Sequence, residues 1–294
     1  MSHKMKFLFI VNPISGVGKQ KDVPQIIDRY FDTQSYEYEI KITKYAGHAR
    51  VIAEEARRTF DVLVAVGGDG TMNETASQLI GTDTPLGIIP LGSGNGFARH
   101  LGISVDPARA VQQLNTALPF PLDACFLNDY PFFNVSGMGF DAQVSKKFMS
   151  QIKRGYATYA RCVWEEFQTY RPRRYRYESE GRTIEETLLM VAFANTQQYG
   201  NNATIAPRAS VDDGYLDVVF VYPFPLAYLP VFTALSFSGN THRSSYVKIK
   251  RVQQFHIEQI DEPLGHIDGE YVETTADINL NVRPRSLQVM RPVS

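Results

Sequence analysis

Cysteine is scarce in this chain, with only Cys125 and Cys162 among 294 residues. Two isolated thiols without paired His/Cys spacing exclude a disulfide framework and argue against a structural zinc site. They fit a reducing cytoplasm. A surplus of one charge is also missing. Thirty Lys and Arg stand against 31 Asp and Glu, a formal net charge of −1. No bulk positive field draws such a protein to nucleic acid or to an anionic membrane, so any partner is chosen by a local site. Long apolar runs are absent as well. The run Phe7–Val11 is shorter than the apolar core of a signal peptide, about 7–15 residues. The stretch Leu226–Phe237 is interrupted by Pro230 and falls short of the ~20 residues that span a bilayer. The expectation is a cytoplasmic protein, at most peripheral to a membrane, with no nucleic-acid partner.

What is present is ordinary globular composition: 44% hydrophobic, 21% charged and 12% aromatic. That excludes a disordered or collagen-like chain. At roughly 150 residues per domain the length suggests two domains. The first 120 residues alternate: apolar runs at Lys6–Val11, Asp61–Val66 and Leu86–Pro90 and the strand-like alternation of Tyr36–Thr43 are separated by helical spacing at Lys21–Phe31, Ala49–Thr59 and Thr71–Ile80. Such alternation predicts a parallel sheet flanked by helices.

After about Pro121 strand-like segments follow one another: Phe132–Val135, Tyr175–Glu178, Glu186–Ala194, Leu216–Val221, Tyr246–Val252, Phe255–Glu258, Ile278–Val282 and Leu287–Met290. Many alternate in polarity, which predicts antiparallel sheets with one wet face. Helical stretches at Asp141–Tyr170 and near Leu226–Phe237 interrupt them. The fold expected is an α/β domain over residues 1–122, then a β-rich, sandwich-like domain over 123–284, with a tight hinge near 120–125.

Three glycine-rich loops follow strands of the first half. Gly67-Gly68-Asp69-Gly70-Thr71 lies directly between a strand and a helix. Glycines there let main-chain N–H groups approach a phosphate, and the helix adds its positive end. Asp69 suits a metal ion or an attacking hydroxyl; a plain helix cap is the alternative. Asn12-Pro13-Ile14-Ser15-Gly16-Val17-Gly18-Lys19 and Leu91-Gly92-Ser93-Gly94-Asn95-Gly96 follow two further strands. Ligands bind at the carboxyl ends of strands in open parallel sheets, so three such loops are expected to line one crevice. None fits a Walker A or dinucleotide-binding pattern.

Taken together, Asn-Pro-x-Ser-Gly, Gly-Gly-Asp-Gly-Thr-x-Asn-Glu and Pro-Leu-Gly-Ser-Gly-Asn-x-x-Ala-Arg-x-Leu-Gly resemble the diacylglycerol kinase catalytic domain, whose family includes sphingosine and ceramide kinases. The resemblance continues through Asn134–Asp141, Ile205-Ala206-Pro207, Asp212-Asp213-Gly214 and Asp268-Gly269-Glu270. It implies a phosphofructokinase-like α/β nucleotide domain and a β-sandwich lipid domain with the active site in the cleft between them. It also allows a last strand, about residues 285–294, to return to the first domain.

By the same resemblance, Asn12, Thr43, Gly67, Gly68, Asp69, Gly70, Thr71, Met72, Asn73, Ser93, Gly94 and Asn95 contact ATP, and Lys19 matches the first loop. Glu270 matches the proton acceptor, with Asp69 as organiser of Mg2+ and phosphate and as the rival for the base role. Read from residues alone, Glu270 sits in a solvated Asp-Gly hairpin. Asp213 matches a structural Mg2+ site with the carbonyls of Ser210 and Tyr215; an Asp-Gly turn is the plainer reading. The implied reaction is transfer of the γ-phosphate of ATP to the hydroxyl of a membrane-derived lipid, with transient membrane-surface contact. NAD kinase, which shares Gly-Gly-Asp-Gly-Thr, and a non-catalytic nucleotide- or lipid-binding regulator are the alternatives.

Gly96 stands where soluble bacterial diacylglycerol kinases carry aspartate. The third loop is thus closer to the sphingosine and ceramide kinase pattern, and the lipid stays open, as does a homodimer. Phe132, Phe133, Phe140, Phe148 and Tyr156 are candidates for an apolar slot, with core packing as the alternative. Lys146, Lys147, Lys153, Arg154, Arg161, Arg171, Arg173 and Arg174 form a basic stretch that could meet anionic headgroups or simply be solvated.

Overall fold

Continuous apolar runs that end at Asn-Pro or at glycine become the buried strands of a parallel sheet. A computed structural model describes residues 4–15, 22–151, 155–261 and 263–293. Its contacts group into two units, Met1–Ala124 with Pro284–Ser294, and Cys125–Arg283.

The first unit alternates β1 (Met5–Val11), α1 (Val23–Tyr30), β2 (Tyr36–Ile42), α2 (His48–Ala56), β3 (Val62–Gly67), α3 (Asp69–Ala76), β4 (Leu86–Pro90), α4 (Gly96–His100) and α5 (Pro107–Leu114). The strand order is β2-β1-β3-β4, all parallel, and Val289 of the C-terminal strand adds in parallel beside Leu86. β3 and β4 are buried at every position, because α2 and α3 pack together on the sheet, as do α1 and α5. β2 alternates, as an edge strand does. Its Tyr36 and Tyr38 join Phe7, Phe9 and Phe31 in an aromatic cluster. The helix α5 escapes the periodicity reading; Pro107 at its start and the Asp106 carboxylate, which accepts the Arg109 N–H at 3.0 Å, set its beginning.

The contacts divide the chain between Ala124 and Cys125, inside the window expected for the hinge, and the backbone there belongs to a strand, β5 (Leu118–Leu127). Its Pro119 and Pro121 lie in the more exposed half of the strand, where a missing N–H is tolerated. The second unit continues with β6 (Tyr130–Phe132), β7 (Val135–Gly139), α6 (Phe140–Met149), α7 (Tyr156–Thr169), β8 (Arg173–Ser179), β9 (Arg182–Leu188), β10 (Met190–Ala194), β11 (Leu216–Val221), α8 (Leu229–Phe237), β12 (Val247–Val252), β13 (Gln254–Gln259), β14 (Gly265–Ile267), β15 (Glu270–Val272) and β16 (Asp277–Arg291).

Two sheets face each other in this unit. One has the order β12-β11-β10-β7-β14-β15; the other brings β16, β13, β8 and β9 together with β5 and β6. Between them lies an apolar core that includes Phe132, Met138, Tyr175, Phe193, Phe220, Phe255 and Leu280. The sandwich is therefore as expected, but three details differ. The six-stranded sheet has no wet face over β7, β10 and β11, each buried throughout. Residues of α6, α7 and α8 cover its outer side in a second cluster with Val135, Ala192, Val219 and Val221. Glu186–Ala194, expected as one strand, is two. The chain crosses from one sheet to the other at Leu189, whose N–H donates to the Val221 carbonyl at 2.8 Å. The expected helix Asp141–Tyr170 is likewise two helices, with Gly155 at φ 135° immediately before α7.

Phe193 is fully buried between the sheets. Phe193→Ala is expected to lower unfolding free energy by about 3–5 kcal/mol, read from the urea midpoint at unchanged slope. A loss under about 1 kcal/mol would contradict this packing.

Candidate functional site

Residues of the first unit gather at the carboxyl ends of neighbouring strands. Gly67 ends β3, and a Cβ there would lie 2.5 Å from Thr71 Oγ1, so only glycine lets α3 turn back so tightly. The loops after β3 and β4 approach backbone to backbone: a Cβ on Gly92 would lie 2.8 Å from Gly68 Cα. The loops are also tied by polar groups. The Asn95 N–H donates to Asp69 Oδ2 at 3.0 Å, and Asn95 Nδ2 donates to the Gly92 carbonyl at 2.6 Å. Asn95 takes φ 51°, a left-handed conformation that asparagine tolerates. Asn12 Nδ2 donates to Thr71 Oγ1 at 3.0 Å, bringing the first loop onto the same helix start.

The first turn of α3 presents N–H donors and the positive end of the helix, the arrangement that holds anions. Thr43 is buried after β2, with its N–H on the Val11 carbonyl at 2.9 Å. Glu74 on α3 accepts the N–H groups of Gly47 and Ala49 at 2.8 and 3.1 Å, which holds the loop after Thr43 against α3. Glu74 closes the Gly-Gly-Asp-Gly-Thr-x-Asn-Glu motif, but the motif does not name the loop that it holds.

Asn12, Thr43, Gly67–Asn73 and Ser93–Asn95 thus share one edge of one sheet. Met72 is the exception in orientation. Its side chain is 4% exposed, and its N–H donates to the Gly68 carbonyl, so it faces the core. Lys19, with Gly16 and Gly18 of the first loop, lies outside the described residues.

Glu270 belongs to the second unit. It opens β15, whose pairing with β14 (Ile267 opposite Glu270) leaves Asp268 and Gly269 as a two-residue turn. Both have positive φ, 48° and 89°, as a type I′ turn demands. The Asp-Gly hairpin is therefore real, and Glu270 is exposed at its end. The turn itself is anchored from within. The buried Asp268 carboxylate accepts the N–H groups of Phe133 and Asn134 at 3.1 and 2.8 Å, and the Asp268 N–H donates to Ser136 Oγ at 3.1 Å.

Beside it His266 and Asp141, 1% and 6% exposed, share a 3.0 Å contact between Nε2 and Oδ2. The Tyr199 hydroxyl donates to the same Oδ2 at 3.0 Å. Burial, and secondarily the Asp141 charge, raises the Tyr199 hydroxyl well above its ordinary pKa and keeps it a donor. Of these residues the motifs singled out only Glu270 for a role. The signals for the others were the runs Asn134–Asp141 and His266–Glu270.

Asp213 is already engaged. Its Oδ1 accepts the Tyr215 N–H at 2.9 Å, and its Oδ2 is ion-paired with Arg251. A cation held by Asp213 and the carbonyls of Ser210 and Tyr215 would have to displace that guanidinium, whose side chain is half exposed. Of the aromatic candidates, four follow the core-packing alternative, and the side chain of Tyr156 lies outside what is described. Phe132 and Phe133 are fully buried and Phe140 is core to the outer cluster, while Phe148 packs against it. Much of the basic stretch is neutralised: Lys147 by Glu165 and Glu166, Arg161 by Glu165, Arg174 by Glu185 and Asp261. Lys153 and Arg154 are outside the described residues. No described helix is long and apolar enough to cross a membrane.

Glycine loops at the carboxyl ends of parallel strands place the first unit among α/β proteins that take a ligand at that edge. The diacylglycerol kinase catalytic-domain model matches residues 6–126, and the model described as a YegS C-terminal NAD kinase beta sandwich-like domain matches residues 134–291. The chain belongs to the diacylglycerol kinase catalytic-domain family.

A Pseudomonas aeruginosa (strain UCBPP-PA14) protein named "Probable lipid kinase YegS-like" is 33% identical over 262 residues, covering 87% of this chain and 85% of its own. A Bacillus subtilis (strain 168) protein named "Diacylglycerol kinase" is 28% identical over 269 residues, covering 89% and 88%. A crystal structure from Bacillus anthracis (strain Sterne) superposes with TM-score 0.81 at 22% identity over 99% of this chain and 98% of that one, a likeness of fold.

Gly92→Ala forces the two loops apart at a backbone contact. It is expected to weaken ATP binding by about tenfold or more, read by calorimetry, with an unchanged far-UV spectrum. Wild-type affinity in this variant would exclude the loop pair as the nucleotide contact.

Proposed function

We propose that this protein transfers the γ-phosphate of ATP to a hydroxyl of a membrane-derived lipid. The observation that carries this reading is the succession, in one chain of this family, of two glycine loops and Asn12 at one sheet edge and the Asp-Gly-Glu hairpin. Asn12, Thr43, the glycines and Thr71 of the second loop, Asn73 and Ser93–Asn95 take the nucleotide, with the phosphates at the start of α3. Asp69, oriented through the Asn95 N–H, organises the phosphate end of ATP. Mg2+ carried by ATP neutralises phosphate charge.

Glu270 accepts the proton as the lipid oxygen bonds to the γ-phosphorus; the bond to ADP breaks, and ADP leaves. Positioning and charge neutralisation supply most of the acceleration. With Gly96 in the third loop, the acceptor stays open among diacylglycerol, a sphingoid base, ceramide and a related alcohol.

Contact with the lipid surface is assigned to α8. No residue of this nine-residue helix is buried. Val231 and Phe237, with Leu226 just before the helix, are 47%, 43% and 43% exposed. From Val218 to Ile257 the chain has no carboxylate, and exposed His242 and Arg243 follow the helix. Apolar side chains beside cations and away from anions suit an anionic headgroup layer.

Labelled ATP and a total lipid extract should yield a labelled lipid, lost in Glu270→Ala and in Asp69→Asn. Labelling of NAD and of no lipid would overturn the reading. The triple variant Leu226→Ser, Val231→Ser, Phe237→Ser should co-sediment roughly tenfold less with phosphatidylglycerol vesicles while phosphorylating a short-chain lipid normally. Undiminished sedimentation together with a change from dimer to monomer would assign α8 to a second copy instead.

A further inference from the structure

We propose that His266, held by Asp141, is a positioning residue that fixes the turn before Glu270 and so aims its carboxylate. The inference rests on the reading of Glu270 as the proton acceptor. The turn Asp268-Gly269 has two positive-φ residues, and its two amides are held by different side chains. Ser136 takes the first, and the His266 ring takes the second: the Gly269 N–H donates to Nδ1 at 3.2 Å. That amide belongs to the residue directly before Glu270.

A ring nitrogen that accepts a hydrogen bond carries no proton, so the neutral ring holds its proton on Nε2. Nε2 then donates to Asp141 Oδ2 at 3.0 Å. Asp141 is itself fixed, because Oδ1 accepts the Ala142 N–H at 2.9 Å and Oδ2 accepts the Tyr199 hydroxyl at 3.0 Å. The carboxylate therefore selects the tautomer, and the tautomer holds the turn.

A second observation is independent of the hydrogen bonds. Gly137 lies inside β7, where glycine weakens a strand. A Cβ at Gly137 would stand 2.5 Å from Asp141 Oδ2, 2.8 Å from the Val191 carbonyl and 3.1 Å from His266 Nε2. The strand lacks a side chain at the point where the pair needs the volume. An apolar pair would fill the same space without the desolvation cost of a buried carboxylate. What an apolar pair could not do is accept the Gly269 amide in one defined orientation.

The test separates the two ring nitrogens. His266→Gln can still reach Asp141 but not the turn; His266→Asn can still accept the Gly269 amide. Asp141→Asn keeps shape but offers an N–H toward Nε2, which favours the wrong tautomer and sets Nδ1–H against the Gly269 N–H, as in catalytic triads. Expected are kcat values lowered about ten- to a hundredfold in His266→Gln and Asp141→Asn, with the KM for ATP within about twofold of wild type. His266→Asn should recover most of kcat.

Equal loss in His266→Asn and His266→Gln, or wild-type kcat in both His266→Gln and Asp141→Asn, would overturn the inference. So would failure of both of these variants to fold, since the pair would then be structural only. Glu270→Gln is measured alongside. If it retains wild-type kcat, the reading of Glu270 fails; if it is inactive while His266→Gln is not, only the positioning role fails.

Discussion

At the carboxyl edge of the first unit's sheet, two stretches of backbone lie close enough that a single methyl group would drive them apart. Gly68 and Gly92 are that close, and Gly67 stands as near to Thr71. Everything around this edge follows from the requirement. The helix α3 starts directly over the strand end, Asn95 adopts a left-handed turn, and Asp69 and Asn12 tie three loops into one surface. Close backbone approach turns a row of strand ends into a place where N–H groups can converge on an anion.

The second unit uses the same device for a different purpose. Gly137 leaves room inside a strand for a buried carboxylate and imidazole, and these in turn serve a two-residue turn. The sequence Asp-Gly-Glu then divides its labour. The first residue is an inward anchor, the second supplies positive φ, and the third carries the exposed carboxylate. Two apolar layers stabilise this arrangement: the core between the sheets, and the outer cluster under α6, α7 and α8. The outer layer explains why the six-stranded sheet reads as continuous apolar runs rather than as alternation.

The strands of the first unit were legible nearly residue by residue, because β1, β3 and β4 are apolar runs that end at Asn-Pro, glycine or proline and β2 alternates. β4 spans Leu86–Pro90 as expected, and β1 and β3 shift by one residue. The glycine loops were legible because few other structures need three glycines after a strand. In the second unit strand positions could be read but not their partners. Glu186–Ala194 is uniformly strand-like, and only packing at Leu189 divides it between two sheets. The break before α7 depends on Gly155, which periodicity alone passes over. Phe132, Phe133 and Phe140 could have faced a ligand by their spacing; their burial places them in the two apolar clusters.

The sequence alone determined the order of elements, the α/β-then-β architecture and the three loops, since apolar period and glycine chemistry are local properties. It also supplied the family, because the motifs recur in a fixed order. Tertiary structure decided which polar groups are buried. Asp213 meets Arg251, Glu74 meets the loop at Gly47, and Asp141 meets His266 across 125 residues of chain. Such pairs depend on distance in space, and no spacing along the chain encodes it. Two cysteines, a net charge of only −1 and no long apolar run left the protein's partners to local sites. Folding is what gathers the residues of those sites.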